Sequence, residues 1–409
     1  MDDEILLYHY QEETSMPTIR AMTNEDLLAY QRLCSICYTY RATEQPEPLP
    51  EDRLHLRMGV FGEDGVLCSA MMQIPYRVRF GEETVKLLGV GGVVTDPSRR
   101  GEGGVRSLFE EGLPRLHREG HVFSALYPFS HRFYRKFGYE TAEFWRNADI
   151  PRGSLRKDLK PADEIIRVLP EEDDCGMRRI YEEYAADKAL AVLRDDEMWR
   201  DLRRGTPWES LKHAYVLRIG GKPVAYWIGT MKKEGWRCTL TMRDFAWTCQ
   251  RGLEGIFAML RGMNEVEDIS LRVQGGFDPR WLVEEPYDVN WKENCDGMLR
   301  VMNVERALVL LAAPPLPGTV NIAVTDGQIP ENNGCFALSC DGYALSVARA
   351  DGEAADVECD IRALAILMAG GMSFDDCVAS GRVKLLNEKK RRLAGMLFER
   401  RLLHMNENF

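Results

Sequence analysis

Read for the spacing of its apolar positions, the 409-residue chain opens with a helix and then turns to strands. Leu27, Leu28, Tyr30, Leu33 and Ile36 recur at helical intervals behind Thr23, a residue suited to an N-cap. Leu56 to Phe61 and Val66 to Ile74 flank a Glu63-Asp64-Gly65 turn. Tyr76 to Phe80 and Thr84 to Val90 flank a Gly81-Glu82-Glu83 turn. Two strand hairpins are predicted, the last strand continuing through Thr95. After Asp96-Pro97, apolar positions 105, 108, 109, 113 and 116 predict a helix, bent at Pro114 and ended by Gly120. His121 to Pro128 then reads as a buried strand, and His131 to Gly138 as a short helix before Tyr139.

The same order returns further along. Helices near 171–188 and 194–205 lead to a hairpin turning at Gly220-Gly221. A strand over Thr239 to Thr248 and a helix from Cys249 to Met263 follow. This is a second helix, hairpin, strand, turn, helix unit with little identity to the first. The texture changes from Leu299 onward, with strands at 319–325, 335–341 and 343–349 and an apolar helix from Ile361 to Ala369. At roughly 150 residues per domain this length accommodates about three. The divisions fall at 1–148, 149–298 and 299–409, the first at the polar stretch from Asp149 to Lys157.

Composition narrows the function. Hydrophobic residues make up 45% and charged residues 29%, as in an ordinary globular protein. The balance of 53 Lys and Arg against 64 Asp and Glu gives a net charge of −11. Nucleic acid is therefore a poor partner, whereas cationic small molecules suit the charge. The most continuous apolar stretch, Ala307 to Pro317, is interrupted by prolines and too short to span a bilayer, so no membrane association is expected. The acidic start, with no basic leader, and the 11 cysteines without framework spacing point to free thiols in the cytoplasm. Cys34 and Cys37 form a lone CxxC inside a helical pattern, and His117 and His121 lack the glutamate of a zinc protease motif. No metal is expected.

The chemistry concentrates at Val90 to Val105. A strand ends at a proline, and glycines then allow successive N–H groups to point outward at the start of a helix. Such a turn serves either as a phosphate cradle or as a purely structural bend. Its order of strand, Pro-x-Arg-Arg-Gly-x-Gly, helix and strand resembles the pyrophosphate loop of GNAT acyl-CoA N-acetyltransferases. Arg100 and Gly103 match the first and fourth positions of that family's signature, while Val105 replaces its final Gly or Ala. The resemblance implies that Val93, Val94 and Thr95 pair with the pantetheine arm and that Arg100, Gly101, Glu102, Gly103, Gly104, Val105 and Arg106 hold the diphosphate. It places Phe129 and Ser130 beside the cofactor. Downstream, Tyr127 to Tyr139 contains the family's Y-x-x-F-G-Y segment, which implies that Tyr134 protonates the leaving thiolate. A phenol of pKa about 10 keeps its proton at neutral pH and can give it to a thiolate of pKa about 8.5. The other reading packs Tyr134 against Phe133 and Phe137.

The whole chain resembles the Eis-like (enhanced intracellular survival) N-acetyltransferases. The implied fold is mixed α/β and α+β: tandem GNAT folds, the second degenerate, and a C-terminal sterol carrier protein-like domain. The second copy has Phe245 to Gly252 where a glycine loop would stand. The resemblance further implies acetyl-CoA as co-substrate, a small amine substrate, a homohexamer, and the C-terminal carboxylate, here Phe409, as general base. The base is needed because an alkylammonium is not nucleophilic until deprotonated. Aminoglycosides are reasonable test substrates. Glu25 and Asp26 could attract a polycation, and Tyr38, Tyr40 and Phe80 could line a cleft; the other reading makes each a solvated or core residue. Two rival readings are an aminoacyl transferase of the Fem type and a lipid-binding or scaffolding protein working through residues 300–409.

Overall fold

The computed structural model describes residues 18–409 except 44, 143, 274–275, 293–295 and 408. The acidic N-terminal stretch with His9, and also Cys295 and Asn408, lie outside the described residues. No described helix is long and apolar enough to cross a membrane. The chain divides into two units. One contains the residues up to Ile74 together with Val90–Gly112, and the other Pro75–Gly89 and Leu113–Phe409.

The first unit starts with β1 (Thr18–Ala21), α1 (Leu27–Tyr38), α2 (Glu51–Leu54) and β2 (Arg57–Phe61). It then shares β3 (Leu67–Phe80), β4 (Glu83–Thr95) and α3 (Gly104–Arg118) with the second unit, each running across the division. Thr23 begins the first helical turn as predicted, and Asp26 closes the capping box by accepting from the Thr23 backbone N–H at 2.7 Å. Leu27, Tyr30, Leu33 and Cys34 are buried on α1, but Ile36 is 56% exposed. Nine residues at about 100° each put Ile36 half a turn from Leu27, whereas Cys34 returns to the buried side. The two predicted segments around Pro75 form one strand, because the proline removes one donor without breaking the extended backbone. The unit's core joins α1 to the sheet through Tyr30, Leu33, Phe61, Leu67, Ala70 and Val94.

In the second unit the chain continues through β5 (Phe123–Leu126), α4 (His131–Arg135) and β6 (Glu140–Ala142). Next come β7 (Arg146–Pro151), β8 (Glu164–Arg167), α5 (Met177–Tyr184), α6 (Asp196–Arg203), β9 (Lys212–Ile219), β10 (Lys222–Glu234), β11 (Arg237–Trp247), α7 (Gln250–Arg261), β12 (Asp268–Val273) and β13 (Asn290–Lys292). Seven of these strands form a sheet in the order β13-β7-β12-β11-β10-β9-β8. Gly220 and Gly221 both take positive φ at the β9–β10 turn, as a tight hairpin requires. The α7 crossover makes β11 and β12 parallel.

β14 (Gly297–Val301) returns to pair antiparallel with both β5 and β6. That strand was hidden in the sequence because Arg300, a charged residue, stands within its short run. Its side chain is fully buried against Asp326 at 2.7 Å and donates to the Phe137 carbonyl at 2.7 Å. The remainder comprises α8 (Val304–Val309), β15 (Gly318–Thr325), β16 (Gly334–Cys340), β17 (Leu345–Arg349), β18 (Val357–Asp360), α9 (Ile361–Ala369), α10 (Phe374–Ala379), β19 (Val383–Leu385) and α11 (Arg391–Leu397). Its sheet runs β17-β16-β15-β18-β19, with the apolar α9 buried against it. The molecule is thus mixed α/β: sheets flanked by helices, followed by a smaller C-terminal sheet domain.

Candidate active site

In the first unit, β4 runs into a turn whose backbone is set residue by residue. Asp96 Oδ1 accepts from the Ser98 backbone N–H at 2.8 Å and the Ser98 hydroxyl at 2.6 Å. These bonds hold its carboxyl below the usual carboxylate range. Gly101 and Gly103 have φ of +97° and +90°, with open space where a Cβ would stand, so glycine is needed there for conformation alone. Gly104 is needed for a different reason: a Cβ would lie 2.4 Å from Ser69 Oγ. The Ser107 N–H reaches back to the Gly103 carbonyl at 2.9 Å and starts α3. Arg100 and Arg106 are exposed, and among the described residues no hydrogen bond or ion pair ties either down. A helix start that presents free N–H groups beside two unengaged guanidinium groups is chemically suited to a phosphate.

The side chains of Val94 and Val105 are buried, so only their backbone can face a ligand. From α1, Tyr38 donates to the Val93 carbonyl at 3.1 Å and Cys37 Sγ approaches the Thr95 carbonyl at 3.4 Å. These contacts account for the CxxC as a packing feature. Among the described residues no group of His, Cys, Asp or Glu is assembled to hold a metal. A groove of about 580 Å³ beside the turn is lined by Asp64, Cys68, Ser69, Arg99, Glu102 and Gly104, among others.

The second unit holds Phe129, Ser130, Tyr134 and Phe409. Ser130 caps α4 by accepting from the Phe133 N–H at 3.3 Å. Tyr134 follows on that helix, 2% exposed, with its ring 5.2 Å from both Phe129 and Phe133 and 6.3 Å from Tyr139. Phe129 itself is 69% exposed. The Gly138 of the F-G-Y segment has a specific cause: φ is +79°, and a Cβ would fall 1.6 Å from Arg300 Nη1.

Phe409 is docked. Its ring stacks on Tyr127 at 4.7 Å and leans on Tyr76 at 5.8 Å. It also fills the space over Gly89, where a Cβ would come within 2.5 Å of Phe409 Cδ1. Tyr127 in turn meets Trp145 edge-on at 5.2 Å and donates to the Glu407 carbonyl at 2.5 Å. Burial pushes the Tyr76 and Tyr127 phenols up, so both stay protonated at neutral pH. Upstream, Glu407 Oε1 accepts from Arg194 Nε at 2.7 Å, and Asn406 donates to the Arg243 carbonyl at 2.7 Å. His404 is wholly enclosed; burial, with Arg194 nearby, lowers its pKa to about 3.

The glycine turn thus lies within one unit, and Tyr134 and Phe409, each with its own aromatic supports, lie within the other. The suggested substrate lining fares less well. Asp26 is engaged by Arg20 at 2.7 Å, Glu25 is exposed, and Phe80 is a core residue stacked on Phe123 at 5.3 Å. Tyr38 and Tyr40 are half exposed. Sequence reasoning missed Tyr76, Gly89, Arg194, Asp244 and Arg272, which support the tail from distant elements. Only Tyr127 carried a signal, as the first residue of the Tyr127–Tyr139 segment. On the C-terminal domain, a groove of about 540 Å³ is lined by Asp375, Glu388, Lys389, Arg391 and Arg392 together with Phe374 and Met396.

Residues 18–142 match the family model of the acetyltransferase (GNAT) domain, and residues 304–405 that of the sterol carrier protein domain. No curated protein matches the chain. Among solved structures, a GCN5-related N-acetyltransferase from Anabaena variabilis is 18% identical, covers 96% of this chain and 100% of its own, and has a TM-score of 0.83. Eis1 from Mycobacterium abscessus is 20% identical over 96% of this chain and 100% of its own, with a TM-score of 0.79. A probable N-acyltransferase from Enterococcus faecalis is 20% identical over 97% and 100%, also at 0.79. At such identities the likeness speaks for the shared fold.

Proposed function

For this chain, which carries a GNAT acetyltransferase domain and a sterol carrier protein-like C-terminal domain, we propose an acetyl-CoA-dependent N-acetyltransferase acting on small cationic amines. The observation that carries the reading is the turn at Gly101 to Gly104, whose positive-φ glycines present N–H groups at the start of α3 beside Arg100 and Arg106. That turn would hold the diphosphate, and the Val93–Thr95 backbone would pair with the pantetheine arm and donate to the thioester oxygen. The Phe409 carboxylate takes a proton from the substrate ammonium, directly or through water. The freed amine attacks the thioester carbonyl carbon, the C–S bond breaks as Tyr134 gives its phenolic proton to the departing sulfur, and the extra proton on the attacking nitrogen passes through water to the Tyr134 phenolate, leaving the neutral amide and the free thiol. A carboxylate is a weak base in water; an aromatic setting such as that of Tyr76 and Tyr127 raises its basicity by desolvation.

The divisions at 1–148, 149–298 and 299–409, a hexameric assembly and a cytoplasmic location belong to the same proposal. The net charge of −11 supports polycationic substrates, aminoglycosides among them, over nucleic acid. The test is incubation with acetyl-CoA and a panel of aminoglycosides, polyamines, amino acids and peptides, read by mass spectrometry, with CoA binding measured alongside. Acetylated multi-amine products are expected. Failure to bind CoA would sink the reading.

A further inference from the structure

We infer that strands β8 to β12 of the second sheet and the helices among them, residues 164–273, act as a clamp that sets the position of Phe409, with Arg194 as its central positioning residue. The inference rests on the reading of Phe409 as the base, and it gives that region a task although it lacks a glycine turn of its own. Arg194 is 1% exposed on its side chain, so its charge must be matched inside the protein. Two carboxylates match it. Asp244 Oδ2 lies 2.5 Å from Nη2, and Glu407 Oε1 lies 2.7 Å from Nε. The guanidinium also covers the Tyr181 ring at 4.1 Å. One of the two partners belongs to the tail. If the tail lifts away, the buried cation keeps only half its pairing.

The remaining contacts fix direction as well as attachment. Asp244 is held by the Tyr226 hydroxyl at 2.5 Å, and Asn406 Nδ2 reaches the same carboxylate at 3.2 Å. Arg272 donates to Asn406 Oδ1 at 3.1 Å. The backbone N–H groups of His404 and Ala189 donate to Ala189 and Leu402 carbonyls, both at 2.9 Å, like a short strand pair. Glu407 is therefore bound through its side chain by Arg194 and through its carbonyl by Tyr127. Two residues further on, Phe409 has little freedom beyond the slot formed by Tyr127, Tyr76 and Gly89. A tail that needed only apolar docking would have no use for the polar contacts at 406 and 407.

The test uses the 409-residue chain and carboxypeptidase A, which removes an accessible C-terminal aromatic residue, together with steady-state kinetics. Glu407→Gln and Asn406→Ala alter the clamp from the tail side and leave the buried Arg194–Asp244 pair in place. Release of Phe409 should accelerate about tenfold or more in Glu407→Gln, the factor that follows from losing a charge-assisted hydrogen bond. The kcat should fall by a similar factor while the KM for acetyl-CoA stays constant. Arg194→Lys, which keeps the charge, should lie between wild type and Glu407→Gln. Unchanged release of Phe409 in both tail variants overturns the clamp, whatever turnover does. Faster release with unchanged kcat upholds the clamp and instead overturns Phe409 as the base.

Discussion

Substituting Gly89 by alanine should separate stability from turnover. The new Cβ would stand 2.5 Å from Phe409 Cδ1 and 2.8 Å from Tyr76 Cε2, against an ordinary carbon contact of about 3.5–4.0 Å. The ring of Phe409 must retreat by on the order of 1 Å or leave its slot. Leaving forfeits the stack on Tyr127, worth about 0.5–1.5 kcal/mol, and the burial of one phenylalanine, worth about 1.5–3 kcal/mol. Because the chain end can detach by itself, the loss of global stability is capped near the sum of these two figures, about 2–4.5 kcal/mol. Turnover has no such cap. A displaced general base costs about 10²- to 10⁴-fold, so kcat should fall at least tenfold while CoA binding is unchanged. The assay is steady-state thiol release with the amine found in the panel, beside urea unfolding of the same variant. Combining Gly89→Ala with Phe409→Ala should add little to either single change. Wild-type kcat in Gly89→Ala, or simple additivity in the double variant, would refute the reasoning.

Three further expectations follow from the same geometry. Tyr134→Phe should lower kcat about 10²-fold with CoA binding intact, measured by initial rates and calorimetry; full activity would remove Tyr134 as the acid. Gly138→Ala both forces a positive φ and drives a Cβ into the Arg300 guanidinium, so it should cost about 4 kcal/mol or more. Gly101→Ala, with a φ of +97° but open space around it, should cost only about 1–2 kcal/mol, and equal losses in urea titrations would contradict the buried ion-pair argument. The buried His404 has a folded pKa of about 3, below the ordinary value near 6.5. The unfolded chain therefore binds the extra proton first, and this contribution is complete above about pH 6.5 and is lost as pH falls towards the folded value. Between pH 6.5 and 5 the loss amounts to about 2 kcal/mol, and His404→Phe should flatten that slope in unfolding curves.

How much of this was legible beforehand depended on whether a feature was local. Helix α3, the Gly220-Gly221 hairpin and the Gly101–Gly104 turn were readable because periodicity and left-handed backbone are properties of consecutive residues. Features that depend on partners far along the chain were not readable. Ile36 looked apolar enough for a core but faces the wrong way on its helix, and the charge of Arg300 concealed a strand because Asp326, which neutralises it, lies 26 residues on. Likewise, nothing local relates Gly89 to Phe409 or Arg194 to Glu407. The sequence by itself determined helix α3, the Gly220-Gly221 hairpin and the glycine turn, since their causes lie within a few bonds. The slot for the chain end was decided only by tertiary structure, which brings β4, β5, β11 and the tail within hydrogen-bonding and van der Waals range, and those short-range forces fix position only between groups already in contact.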